Sequence, residues 1–122
     1  MKSKIRVLIA DDSPVIIARL KNLLSDIDTV MIVGEAHNGS EVMSFLKTII
    51  PDVVLLDVIM PGMNGMDVLS DIKKKYAGVK VIMLTNQTNP FIRKLCFSLG
   101  ATNFLDKSTE FEKLPETLLQ LS

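Results

Sequence analysis

Pro51-Asp52-Val53-Val54-Leu55-Leu56-Asp57-Val58-Ile59-Met60-Pro61-Gly62-Met63-Asn64-Gly65 is the stretch on which the fold turns. Its apolar run, from Val53 to Leu56, breaks off at a carboxylate, and a turn rich in proline and glycine follows. A short Val/Leu run bounded by turn signals reads as a strand buried on both faces. An unpaired charge inside a core is very costly, so Asp57 belongs at the strand's end, at the mouth of a sheet. The same grammar occurs earlier, where Ile5-Arg6-Val7-Leu8-Ile9-Ala10 runs into Asp11-Asp12. Two neighbouring strands that each end in acid bring three carboxylates together. Like charges at short range need a cation or a shared proton. A hard cation with oxygen ligands meets that need, and Mg²⁺ suits a small site with few carboxylates and several waters.

Outward from this stretch, apolar runs of strand length alternate with segments of helical period. Strands are expected at 5–10, 30–36, 53–57, 79–84 and 102–106. Ser13-Pro14 opens the first helix as cap and first helical residue. Ile16, Ile17, Leu20, Leu23, Leu24 and Ile27 form its buried stripe. Asn38-Gly39-Ser40-Glu41 reads as a capping box, with Val42, Phe45, Leu46 and Ile49 as the stripe of helix two. Asn64-Gly65 starts helix three, with Val68, Leu69, Ile72 and Tyr76 inward and Gly78 ending the turn. Asn89-Pro90 caps helix four, whose stripe is Ile92, Leu95, Cys96 and Leu99, closed by Gly100. Phe111, Leu114, Leu118 and Leu121 predict a last helix. Pro115 restricts its start, so a single turn should come first and the regular helix from about Leu114. Strands alternating with helices make an α/β fold: a five-stranded, doubly wound parallel sheet with helices on both faces. Ligands in such sheets bind at the carboxyl ends of the strands. Asp11, Asp12, Asp57, Thr85 and Lys107 all fall there.

Length and composition bound the function. A chain of 122 residues suits one domain with a single core. Hydrophobic content of 48% with 23% charged residues describes a globular chain, not a disordered one. Formal net charge is +0, so no general affinity for nucleic acid or an anionic membrane is expected. No apolar run has the length of a transmembrane helix. Lys2 and Lys4 lead directly into strand residues and not into a secretory segment. The lone Cys96 cannot form an internal disulfide, and the expected compartment is the cytoplasm. His37, the only histidine, reads as a solvated loop residue, and the seven methionines read as gap fillers.

At its strand ends the sequence resembles the receiver domain of two-component response regulators, the chemotaxis receivers among them. Five residues carry the resemblance: the acidic pair Asp11-Asp12, Asp57 followed by Met60-Pro61-Gly62-Met63-Asn64-Gly65, Thr85 after strand four, and Lys107 after strand five. It covers nearly the whole chain, so residues 1–122 are expected to be one receiver domain. The resemblance implies a flavodoxin-like strand order of 2-1-3-4-5. It implies that Asp57 accepts a phosphoryl group from a sensor histidine kinase or a histidine phosphotransfer protein. It also implies that Asp12, Asp57 and the backbone carbonyl of Ile59 bind Mg²⁺ directly, while Asp11 holds a metal-bound water. Lys107 would pair with a phosphoryl oxygen, and with Asp57 in its absence. Thr85 would donate its hydroxyl and draw its loop inward, opening space for the switch aromatic Phe104. Phe104 as plain core is the competing reading.

The sequence also departs from the family. Ser108 follows Lys107 where a proline in a cis peptide is common. A cis bond before serine costs about 3 kcal/mol, so the loop is either trans or held under strain. Asn86 is larger than the usual small residue after the threonine. Ile59 and Gln87 sit where the family tunes the lifetime of the acyl phosphate. An apolar Ile59 cannot orient an attacking water, so slow self-dephosphorylation is expected. Phe91 and Phe97 lie off the stripe of helix four. Either they pack on neighbouring helices, or they give the helix four to helix five face an apolar surface for a downstream partner. Val15 is placed to help dock a kinase.

The expectation is a stand-alone signalling receiver, not an enzyme, without a direct nucleic-acid or membrane partner. One alternative is the receiver portion of a longer DNA-binding regulator or hybrid kinase. A haloacid-dehalogenase-type phosphatase is disfavoured, since it needs a general acid two residues after the nucleophile, where Ile59 stands. A flavodoxin would meet repulsion between its flavin phosphate and Asp11-Asp12. A non-phosphorylated interaction module is the last alternative.

Overall fold

The computed structural model describes residues 4–121, so Lys2 lies outside the described residues. In chain order the elements are β1 (Ile5–Ala10), α1 (Pro14–Ser25), β2 (Val30–Ala36), α2 (Gly39–Leu46) and β3 (Val53–Leu56). Then come β4 (Ile59–Met60), β5 (Met63–Asn64), α3 (Gly65–Lys75), β6 (Lys80–Thr85), α4 (Pro90–Ser98) and β7 (Asn103–Asp106). A 3-10 turn (Phe111–Lys113) leads into α5 (Leu114–Gln120). The main sheet runs β2-β1-β3-β6-β7, all parallel. β4 and β5 form a separate two-residue antiparallel hairpin in the turn after β3. Without that hairpin the sheet strands follow the order 2-1-3-4-5.

The central strand shows why the sheet is doubly wound. Val53 and Leu55 pack in one apolar cluster with Leu20 and Leu24 of α1 and Leu114 and Leu118 of α5. Val54 and Leu56 alternate to the other side, with Val42 of α2, Leu69 and Ile72 of α3 and Cys96 of α4. Helix starts follow the caps read from sequence. Ser13, Asn38, Asn64 and Asn89 each accept a bond from a backbone N–H in the first turn, at 3.3, 2.9, 2.7 and 2.7 Å. Gly100 takes φ +111 after α4, a conformation that favours glycine. Pro115 sits in the first turn of α5, after the 3-10 turn, where its missing N–H costs nothing.

Some expectations need correction. α2 ends at Leu46, so Ile49 lies beyond it and is 42% exposed. The apolar period continued one turn past the point where Thr48 and Ile49 direct their N–H groups to Phe45 O. The capping box at Asn38 is half right. Glu41 returns its carboxylate to the His37 N–H at 2.7 Å, one residue ahead of the cap. Phe91 and Phe97 do not pack inward: they are 73% and 40% exposed. Strands four and five start one residue later than read, and strand four runs on to include Thr85. Strand three stops at Leu56, leaving Asp57 just past its end. Among the described residues, no helix is long and apolar enough to cross a membrane.

Candidate functional site

Backbone bonds carry the sheet one residue past its strands and so fix the bases of the key side chains. The Asp11 N–H donates to Ala36 O at 3.0 Å and the Asp57 N–H to Ala10 O at 3.2 Å. The Lys107 N–H donates to Thr85 O at 3.0 Å. Three parallel strand ends therefore present Asp11, Asp57 and Lys107 at one edge. Lys107 crosses the gap, its Nζ lying 2.5 Å from Asp11 Oδ2 and 2.7 Å from Asp57 Oδ2. All three residues are buried. Burial opposes the ammonium charge, but hydrogen bonds to Asp11 and Asp57, with their charges, outweigh it and hold Lys107 above the ordinary lysine value. The pairing with Asp57 follows the sequence expectation. The equal pairing with Asp11 was not foreseen.

The remaining polar contacts orient the carboxylates. Asp11 Oδ1 accepts from the Ser13 N–H at 2.9 Å, and Asp57 Oδ1 accepts from the Ile59 N–H at 3.3 Å. Ile59 itself is 58% exposed beside the acid. Gly65 closes the turn from below. Its N–H donates to Val58 O at 2.6 Å, and a Cβ there would collide with the Asp57 carbonyl oxygen. Thr85 is fully buried, and its Oγ1 accepts from the Gln87 N–H at 3.1 Å. An open cleft is lined by Asp12, Ile16, Asp57, Ile59, Thr85, Asn86, Gln87 and Lys107. The Asp106 carboxylate accepts from the Ser108 N–H at 2.7 Å. The Lys107–Ser108 peptide is trans.

Asp11, Asp12 and Asp57 each offer an oxygen within 4.8 Å of the others. Asp12 is exposed, while the other two are buried. Hard oxygen donors, with more negative charge than one lysine neutralises, fit a divalent cation such as Mg²⁺. Phe104 is 4% exposed and belongs to the apolar cluster on the α2–α4 side. A residue that sequence reasoning missed lies over it. Arg93 Nη1 donates to Phe104 O at 3.2 Å, with the guanidinium 5.5 Å from the ring centroid. Apolar periodicity does not find such a cation, because it ignores the off-stripe face of α4.

Comparison with known proteins decides the family. A family model described as the response regulator receiver domain matches residues 7–119. The chain belongs to the response regulator receiver domain family. The response regulator UvrY of Escherichia coli K12 is 38% identical to this receiver over 104 residues, covering 84% of the chain and 47% of UvrY. This receiver thus spans about half the length of the curated relatives it matches. Among solved structures, the signal receiver domain of the putative response regulator NarL from Mycobacterium tuberculosis is 32% identical, with TM-score 0.88 and 98% of each chain covered. RcsB of Salmonella typhimurium, in structures concerned with conformational dynamism for DNA interaction, gives TM-score 0.92 at 27% identity. That match covers 98% of this receiver and 60% of the RcsB chain.

Proposed function

We propose that residues 1–122 form a phosphoacceptor receiver that takes a phosphoryl group onto Asp57 and signals through a conformational switch. The observation that carries this reading is the Lys107 ammonium held between Asp11 and Asp57 at 2.5 and 2.7 Å, beside a third carboxylate and the buried Thr85 hydroxyl. A carboxylate oxygen of Asp57 attacks the phosphorus of a phosphohistidine on a sensor kinase or phosphotransfer protein. The O–P bond forms, the P–N bond breaks, and the departing imidazole takes up a proton. Asp11, Asp12, Asp57 and the Ile59 carbonyl would hold Mg²⁺, which when bound neutralises charge as the phosphoryl group moves. Lys107 then follows a phosphoryl oxygen as a point charge. Thr85, whose oxygen accepts one bond, keeps its O–H to donate to another phosphoryl oxygen. Its inward pull would let Phe104 shift by packing alone, since the ring has no hydroxyl. The exposed phenylalanines of α4 give the α4–α5 face an apolar surface for a downstream partner. The proposed compartment is the cytoplasm, in keeping with the free, buried Cys96.

Purified protein treated with Mg²⁺ and acetyl phosphate should gain the mass of one phosphoryl group, and Asp57→Asn should gain none. An adduct that persists in Asp57→Asn would move the acceptor elsewhere. Ile59 beside Asp57 cannot orient a hydrolytic water, so the phosphorylated protein should lose its label slowly. A half-life of seconds, followed by the same mass measurement, would contradict that role for Ile59.

A second reading is favoured by coverage. UvrY and RcsB are roughly twice and more than one and a half times the span matched here, and RcsB is described with DNA interaction. On this reading the receiver serves a longer DNA-binding regulator, and the reading frame that follows it in the gene decides between the two.

A further inference from the structure

Asn86 of the cleft lining is joined to a residue just outside it. Asn86 follows Thr85, and Ser108 follows Lys107. The Ser108 hydroxyl donates to Asn86 Oδ1 at 3.1 Å, bridging the loop after β6 and the loop after β7. Both side chains are exposed. Ser108 is the anchored partner: its N–H is held by Asp106 Oδ1 at 2.7 Å, and the Asp106 N–H by Glu110 Oε1 at 3.1 Å. Asn86 is the less constrained one, opening a stretch, 86–89, without regular secondary structure. A proline at 108 could provide neither the hydroxyl nor the N–H.

We propose that Asn86 and Ser108 form a clasp that fixes the Thr85 hydroxyl relative to the Lys107 ammonium and so positions both for a phosphoryl group on Asp57. This rests on the phosphoacceptor reading of Asp57. Both are positioning residues, acting through their neighbours in sequence. The bond ties the irregular loop that follows Thr85 to the turn that carries Lys107. Donors held in place before reaction stabilise transferring charge without first having to be ordered. With the clasp open, Thr85 would keep its backbone tie to Lys107, but the loop beyond it, whose Gln87 N–H orients the Thr85 hydroxyl, would be free to move.

The test is a double-mutant cycle on the phosphorylation rate of the whole chain with Mg²⁺ and acetyl phosphate. Asn86→Ala also removes bulk from the cleft, so the coupling between the two positions is the decisive quantity. Ser108→Ala should slow phosphorylation about three- to five-fold, the effect of one modest hydrogen bond. In an Asn86→Ala background the same change should do nothing. Ser108→Thr, which keeps the hydroxyl, should restore the rate. Thermal midpoints should stay together across the set, because neither side chain is buried. Equal slowing by Ser108→Ala in both backgrounds, or no slowing while the wild type takes phosphate, overturns the clasp. A wild type that takes no phosphate overturns the phosphoacceptor reading and the clasp with it.

Discussion

Lys107 is the residue whose surroundings say most about the site. Its side chain is 7% exposed and faces two carboxylates that are themselves nearly buried. Removing the ammonium leaves Asp11 and Asp57 facing each other without a cation. Lys107→Met should therefore lower stability by about 2–4 kcal/mol in urea unfolding, toward the lower end for a buried pair because the cleft admits water. Mg²⁺ should return part of that loss in the variant, since the acidic oxygens remain. The pH dependence has a definite sign. Lys107 is raised above its ordinary value of 10.5 in the folded state, so its contribution is complete below that pH and fades as pH climbs through the raised value. A wild type that loses stability no faster than Lys107→Met in alkaline urea titrations would contradict it. The residues of this cluster were legible in sequence because each is a polar break at the end of an apolar run. Which of the adjacent acids Lys107 would meet was not. Asp11 and Asp12 differ only in which way the chain points them past β1, and the structure buries Asp11 and exposes Asp12.

At the scale of elements, the link between β3 and α3 carries the tightest constraint. Asp57 can stand at the sheet's mouth only if the chain turns back at once, and the β4–β5 hairpin makes that turn. α3 then begins so close beneath that only glycine fits at position 65. A Cβ there would also lie 2.8 Å from Val58 Cα. Gly65→Ala should destabilise the fold by about 1–3 kcal/mol through overpacking and should slow phosphorylation by acetyl phosphate, because the yielding atoms are the backbone of Asp57 and Val58. An alanine variant with unchanged rate and midpoint would show that the turn yields without disturbing the acid. Sequence showed that Asn64-Gly65 starts a helix, yet gave no sign that Gly65 also lies against Asp57. Capping is local, whereas that close approach depends on where β3 ends. Local signals explain the successes, such as the four caps and the delayed start of α5 at Pro115. They also explain the error at Ile49, where an apolar residue kept the helical period after the backbone had left it.

Taken whole, the molecule brings its site together because a parallel sheet with helices on both sides aligns all its strand ends at one edge. That alignment rests on β3, which must be apolar toward both layers. Leu55 faces α1 and α5, and Leu56 faces α2, α3 and α4, each no more than 1% exposed. In a sheet covered on one side, successive residues would alternate between core and water, and only one of the two truncations would matter. Here Leu55→Ala and Leu56→Ala should each cost about 2–5 kcal/mol, since each opens a cavity in a closed layer. The two cavities lie in different clusters on opposite sides of the sheet, so the double variant should lose nearly the sum, apart from strain shared along the strand. Equilibrium urea unfolding of the two single variants checks this directly. If either leucine could be cut to alanine for less than about half a kilocalorie, the range of a surface change, β3 would have one wet face. The aligned strand ends would then lose their common support.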